Sequence, residues 1–340
     1  MSKTPKKRYL SVMSFVLLAV IVIYGVSKSS LGTNEINIAN NEGDLWSKVA
    51  NLFTVSTDKK ITLENDPDYS LPKAEDKRWD LLVLGMRGDD GEKNEETGRL
   101  LTDTIMLVSL DKKTGKVSMV SIPRDLYVRI NDNKMDKINA IYETGLLNKK
   151  GLDYTKKLFS RITGVYIDSA VVIDFSSFKK IIDDLGGIDI NLDKPFEEKT
   201  QWGYEFSLPV GENHLDGQTA LYYVRSRFSS SDFDRALRQQ RVIMALKDKV
   251  MSLSIFSDPI ESLSILNSIR NNIDTDLNVW DVGSIMNLSN QFNNSATSIK
   301  RYVITTENLL YETHLSGIYV LLPKGDNFLG MKQLFQDVLK

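Results

Sequence analysis

The chain is 340 residues long, 41% hydrophobic and 26% charged, enough apolar material to close at least one sizeable core, which excludes disorder throughout. Its formal charge is −2, and Lys3, Lys6, Lys7 and Arg8 all precede the first acidic residue, so the remainder carries −6 and has no global basic field for nucleic acid. With no cysteine and only His214 and His314, disulfide frameworks, thiol nucleophiles, thiolate metal sites and multi-histidine centres are excluded; metal chemistry would need oxygen ligands, which suit Mg²⁺ and also Mn²⁺.

From Tyr9 to Val26 the sequence YLSVMSFVLLAVIVIYGV carries no charge. As a helix it would reach roughly 27 Å at about 1.5 Å per residue, enough to cross a bilayer. Lys6, Lys7 and Arg8 precede it and only Lys28 follows closely, so the positive-inside bias places residues 1–8 in the cytoplasm and everything after 26 outside, in a single-pass arrangement. A cleaved signal peptide is the competing interpretation, but the apolar run is longer than its usual core of about 7–15 residues and no A-x-A-like site follows. Both interpretations export the body. Residues 27–78 read as an extracytoplasmic linker with one short amphipathic helix, in which Leu45, Trp46, Val49, Leu52 and Phe53 share a face.

A folded domain is expected from 79 to 340. WDLLVLGM and TIMLVSL are short apolar runs of buried-strand type, and Asp111 to Gly115 should close a hairpin into KVSMVSIP. Helical patterns cover Met135 to Leu147 and Leu152 to Ile162; AVVIDF reads as strand, SSFKKIIDDLGG as a helix with a glycine stop, and IDINL as strand. Further helices are expected over Asp216 to Arg227, Asp232 to Ser254, Leu277 to Phe292 and Met331 to Leu339, with RYVITT and IYVLLP as strands and His214 in a loop. This alternation predicts a three-layer α/β/α domain with a central mixed sheet, preceded by the transmembrane helix.

The stretch YVRSRFSSSDFDRALRQQRV concentrates Arg225, Arg227, Asp232, Arg235, Arg238 and Gln239. On a helix beginning at Asp232, Asp232, Arg235 and Gln239 share one face, and Val242, Ile243, Leu246 and Val250 continue below it. That pattern suits a ligand with an anionic head and a hydrocarbon tail. It equally suits a helix capped by Asp232, with solvated arginines and an ordinary core face. Nucleic acid is disfavoured by the expected topology, whereas a diphosphate fits guanidinium groups that bind phosphate oxygens two at a time. The glycines Gly85, Gly88 and Gly91 match no nucleotide-binding loop.

In order along the chain, TDTIML, SIPRDLYV, KINAIY, DLGGIDINL, LDGQTALYYVRSR and SDFDRALRQQ resemble the motifs of the LytR-CpsA-Psr family, behind an N-terminal anchor. The resemblance implies a Mg²⁺-dependent phosphotransferase that takes an anionic glycopolymer from a polyprenyl diphosphate carrier and joins it to peptidoglycan through a phosphodiester at the outer membrane face. It implies a metal-binding Asp103, a catalytic Arg124 near the diphosphate, Lys137, Arg225 and Arg227 as substrate-binding cations, and Asp232, Arg235 and Gln239 in the final motif, beside which Arg238 is a further candidate. Asp232 would be a general base or an orienter of Arg235. Where many members carry an aspartate after the first strand, this chain has Arg87, so Asp90 or Asp89 would substitute, or Asp103 and phosphate would hold the metal alone. A non-catalytic carrier-lipid binder and a polyprenyl diphosphate hydrolase are the other outcomes. Asp125 pairing locally with Arg124, and Asn139 as a satisfied helix residue, are the structural alternatives to functional roles there.

Overall fold

The computed structural model describes residues 70–88, 98–131, 134–228, 230–252, 273–277 and 299–340. The expected span at 9–26, the amphipathic segment before Phe53, Asp90 and almost all of the helix sought over Leu277 to Phe292 lie outside these. Among the described residues no helix is long and apolar enough to cross a membrane.

The described elements begin with β1 (Arg78–Met86), β2 (Thr102–Asp111), β3 (Val117–Ser121), β4 (Tyr127–Asn131) and β5 (Lys134–Lys137). A 3₁₀ turn at Ile138–Ala140 leads into α1 (Ile141–Leu147), α2 (Gly151–Thr163), β6 (Ser169–Asp174), α3 (Phe175–Asp184) and β7 (Ile188–Leu192). Then come β8 (Phe196–Glu198), β9 (Phe206–Leu208), β10 (Gly211–Leu215), α4 (Gly217–Arg225) and α5 (Asp232–Ser252). Strands β11 (Ile273–Thr275), β12 (Lys300–Val303), β13 (Leu310–Leu315) and β14 (Ile318–Pro323) precede the final helix α6 (Leu329–Asp337).

Six strands form one sheet in the order β11-β6-β1-β2-β3-β12. It is mixed: β2 runs antiparallel to β3 and β11 to β6, while β12 joins β3 in parallel. Residues Ile105 to Leu110 of β2 and all of β3 are buried, the continuous pattern of strands covered on both faces. The described residues group into two compact units, those within 70–84, 100–170 and 299–340 forming the first, and those within 85–99 and 171–277 the second.

In the first unit the expected hairpin joins β2 to β3, with the Asp111 carboxylate accepting from the backbone N–H groups of Lys113 and Thr114 at 2.7 and 3.0 Å. Buried Arg78 donates to Asp80 at 2.5 and 2.9 Å, to the Ser109 hydroxyl at 2.9 Å and to the Phe335 carbonyl at 2.6 Å, fastening β1 to β2 and α6. Burial pushes the Asp80 carboxyl above its ordinary value, and the Arg78 and Ser109 hydrogen bonds pull against that rise. Met135 to Lys137 are strand rather than the expected helix, because β5 finds a partner in β4, with Tyr127 opposite Lys137 and Val128 opposite Asp136. Tertiary pairing overrides the local apolar spacing there, and the helix starts only at Ile141.

In the second unit β7 and β10 pair antiparallel and alternate buried and exposed residues, so one face joins a core with Ile182, Leu221, Tyr223, Val242 and Ala245. His214 therefore stands on a strand, opposite Asp189, and not in a loop. The two-residue glycine stop after α3 is needed: Gly186 and Gly187 have φ of 71° and 83°, and a Cβ on Gly187 would meet the His214 ring at 2.4 Å.

Gly217 opens α4, just after the Asp216 side chain caps it by accepting from the Thr219 N–H at 2.7 Å. A Cβ at Gly217 would lie 2.3 Å from the Lys179 carbonyl oxygen of α3, a backbone atom. Alanine ordinarily gains about 1 kcal/mol over glycine inside a helix. The clash outweighs that gain, so Gly217→Ala is expected to lower stability by about 1–3 kcal/mol, read from the urea midpoint. An unchanged or raised midpoint would mean that α3 yields freely.

Candidate functional site

In the first unit, β2 places Asp103 second in the strand. The N–H of Ile122 still donates to Ile105 at 2.9 Å, so the chain keeps to β2 until Pro123, and Arg124 follows in the turn. Arg124 Nη1 donates to Asp103 Oδ1 at 2.6 Å, and its Nε lies 3.6 Å from Asp125 Oδ2. Lys137 Nζ donates to the other Asp125 oxygen at 2.6 Å and stands 5.9 Å from the centre of the Tyr319 ring. The four groups thus alternate in sign along one chain of contacts. Asp103, at 37%, has the most exposed side chain of the four. The Thr102 hydroxyl donates to the Asn139 carbonyl at 3.2 Å, tying the start of β2 to the buried 3₁₀ turn beside Lys137.

In the second unit, α4 ends at Arg225 and the chain turns extended at Ser226, with φ −56° and ψ 132°. The Arg225 guanidinium lies over Phe175 and Trp202, 4.3 and 5.1 Å from the ring centres, so aromatic contacts fix its plane. At the head of α5, Ser231 and Asp234 form a reciprocal cap: the Asp234 N–H donates to the Ser231 hydroxyl at 3.1 Å, and the Asp234 carboxylate accepts from the Ser231 N–H at 3.0 Å. Ser231, not Asp232, therefore caps the helix. Asp232 instead pairs with buried Arg235 at 3.1 Å, and half-buried Gln239 continues that face.

Arg238 is committed to the protein. Its guanidinium donates to the Tyr223 carbonyl at 2.8 Å, to the Ser230 hydroxyl at 3.0 Å and to the Ser226 carbonyl, and it lies 4.9 Å from the centre of the Phe196 ring. Burial depresses its proton affinity, with the neighbouring Arg235 adding to that and Tyr223, Asp234 and Glu198 opposing it. Expected among the substrate-binding residues, Arg238 is placed as an internal brace for the segment after α4. The apolar stripe is likewise ordinary core where it is best defined: Val242 is 1% exposed and packs with Ile190, Leu192 and Tyr223, and Leu246 lies against the same cluster. The side chain of Val250 lies outside the described residues.

The sequence-predicted residues thus fall into two groups: Asp103, Arg124 and Lys137 in the first unit, and Arg225, Arg227, Asp232, Arg235, Arg238 and Gln239 in the second. Sequence reasoning missed Phe175, Glu198, Gln201 and Trp202, which surround the YVRSR segment from more than twenty positions away and share no periodic pattern with it. Among the described residues no three His, Cys, Asp or Glu side chains gather as a metal cage. A hard divalent ion held by one carboxylate and substrate phosphate oxygens is still compatible with Asp103, whose side chain is partly open to solvent.

In this mixed-sheet α/β protein, guanidinium groups held by aromatic rings and paired with carboxylates have the chemistry that suits phosphate-type anions, although the fold alone assigns no such role. The particular family follows from comparison: the chain belongs to the LytR_cpsA_psr family, whose match covers residues 47–336. The polyisoprenyl-teichoic acid–peptidoglycan teichoic acid transferase TagU of Bacillus subtilis is 32% identical over 249 residues, covering 71% of this chain and 74% of that protein. TagU of Enterococcus faecalis is 32% identical over 238 residues, 68% of this chain and 70% of that one. The crystal structure of Bacillus subtilis TagV superposes with a TM-score of 0.59 at 27% identity, covering 78% of this chain and 98% of that one.

Proposed function

We propose that this protein is a phosphotransferase that moves an anionic glycopolymer of the teichoic acid kind from a polyprenyl diphosphate carrier to peptidoglycan. Family membership and the transferase names of relatives at 32% identity support that reading. The observation that carries it is Arg225, held against Phe175 and Trp202 in a conformation suited to planar, two-point contact with phosphate. A peptidoglycan hydroxyl oxygen attacks the glycan-bearing phosphorus and the bond to the bridging oxygen breaks. The products are the phosphodiester and polyprenyl monophosphate, and the hydroxyl proton leaves to a base or to water.

Arg225, Arg227 and Arg235 bind the diphosphate oxygens in this reading, and Asp232 orients Arg235 through its 3.1 Å ion pair. Arg124 and Lys137 carry the positive charge beside Asp103 and Asp125. Asp103 would hold Mg²⁺, or Mn²⁺ in its place, which would neutralise charge developing on the phosphate oxygens. Asp90 is the second candidate ligand. A single N-terminal anchor over 9–26, with a layered α/β/α domain outside the membrane, belongs to the same proposal.

The test is mass spectrometry of the full chain purified from membranes, followed by incubation with a synthetic glycan-linked polyprenyl diphosphate, a peptidoglycan acceptor and divalent metal. A retained polyprenyl phosphate is expected, and metal-dependent release of polyprenyl monophosphate matched by formation of a glycan–peptidoglycan phosphodiester. Release of inorganic or sugar phosphate with no acceptor product would mean a hydrolase, and bound lipid without turnover under any divalent metal would mean a carrier-lipid binding protein.

A further inference from the structure

The turn between β8 and β9 grips the segment that carries Arg225 and Arg227 at several separate points. The Gln201 side chain bridges the two arginines' backbone: its amide nitrogen donates to the Arg225 carbonyl at 3.2 Å, and its amide oxygen accepts from the Arg227 N–H at 2.7 Å. One residue further on, the Trp202 indole donates to the Ser226 hydroxyl at 3.0 Å while its ring covers the Arg225 guanidinium.

Glu198 anchors the turn itself. Its side chain is 0% exposed, with one oxygen accepting from the Thr200 and Gln201 N–H groups at 3.3 and 3.4 Å and the other from the Phe228 N–H at 3.0 Å. The segment from Arg225 to Phe228 thus receives from one side-chain amide the two-point pairing that a neighbouring strand would otherwise supply. Fixing the backbone on both sides of buried Ser226, at the Arg225 carbonyl and the Arg227 N–H, fixes the spacing of the two arginines.

We infer that Gln201 is a positioning residue: it sets the separation of Arg225 and Arg227 and thereby lets this protein prefer a diphosphate head group over a monophosphate. The inference rests on the proposed carrier-lipid reading and deepens it. A monophosphate offers one phosphoryl group and tolerates a shifted pair of arginines, whereas two linked phosphoryl groups require both at a set spacing.

Binding of polyprenyl diphosphate and polyprenyl monophosphate of equal chain length to the full chain in detergent tests it, with Gln201→Met keeping the volume and losing both hydrogen bonds. The expected result is a loss of about ten- to thirtyfold for the diphosphate, little change for the monophosphate, and a melting temperature near that of the parent. In an Arg227→Ala background the same substitution should change diphosphate binding by less than about twofold, because its effect passes through Arg227.

Equal weakening of both lipids, full additivity with Arg227→Ala, or undiminished diphosphate preference in Gln201→Met and Gln201→Ala would each overturn the positioning role. So would loss of the folded state in both variants, which would make Gln201 a plain structural residue. Failure of the parent protein to bind either lipid would instead overturn the carrier-lipid reading beneath it.

Discussion

Metal-dependent turnover of a glycan-linked polyprenyl diphosphate is expected to fall about 10³-fold in Asp103→Ala, equivalent to roughly 4 kcal/mol of transition-state stabilisation. Two losses combine. The variant removes the oxygen that would hold the ion, and it takes from Arg124 the carboxylate that anchors it at 2.6 Å, leaving Asp125 at 3.6 Å as its remaining ion-pair partner in this cluster. Stability should change little, because the Asp103 side chain is 37% exposed and contributes no apolar core. Release of polyprenyl monophosphate measured across a Mg²⁺ titration separates the terms: Asp103→Asn should restore part of the Arg124 contact but not the metal response. Turnover in Asp103→Ala equal to that of the parent, at equal melting temperature, would remove Asp103 from the chemistry.

The largest effect on stability is expected at Arg78. Replacing it by methionine keeps much of its volume but leaves buried Asp80 without its bidentate partner, and breaking a buried ion pair by removing one member costs about 3–5 kcal/mol. The cost should depend on pH. With Arg78 gone, burial holds the Asp80 carboxyl above its unfolded value with less to oppose it, so the folded variant binds a proton that the unfolded chain does not. Stability of the variant then falls as pH rises from about 4, the ordinary carboxylate range, through the raised folded value. Denaturant unfolding of parent and variant at several pH values should show the gap widening with pH. A constant gap would mean that Asp80 finds another cation or that water enters.

Much of this organisation is legible in the sequence because it is local. The β2–β3 hairpin follows from DKKTG between two apolar runs, IDINL alternates as a strand with one buried face must, α4 begins behind Asp216, a residue type that satisfies exposed helical N–H groups, and α5 begins at the expected Asp232, although Ser231 is its cap. The family motifs likewise mark Asp103, Arg124 and Lys137, which the structure joins in one chain of ion pairs.

Other features depend on partners distant in sequence. Met135 to Lys137 become strand because β4 is there to pair with them, and Arg238 turns inward because the carbonyls after α4 are within its reach. Val242 is core because β7 and α4 cover it. The sequence by itself determined the family, the charged residues of the two groups and the elements with strong local signals, such as β1, β2, β3, β7 and the helices α2 to α6, since propensity, capping and motif spacing are written in adjacent positions. Only the tertiary structure decided that Arg238 braces the segment after α4, and that Gln201 and Trp202 hold the segment bearing Arg225 and Arg227, because hydrogen bonding and burial are settled by neighbours in space that no periodicity encodes.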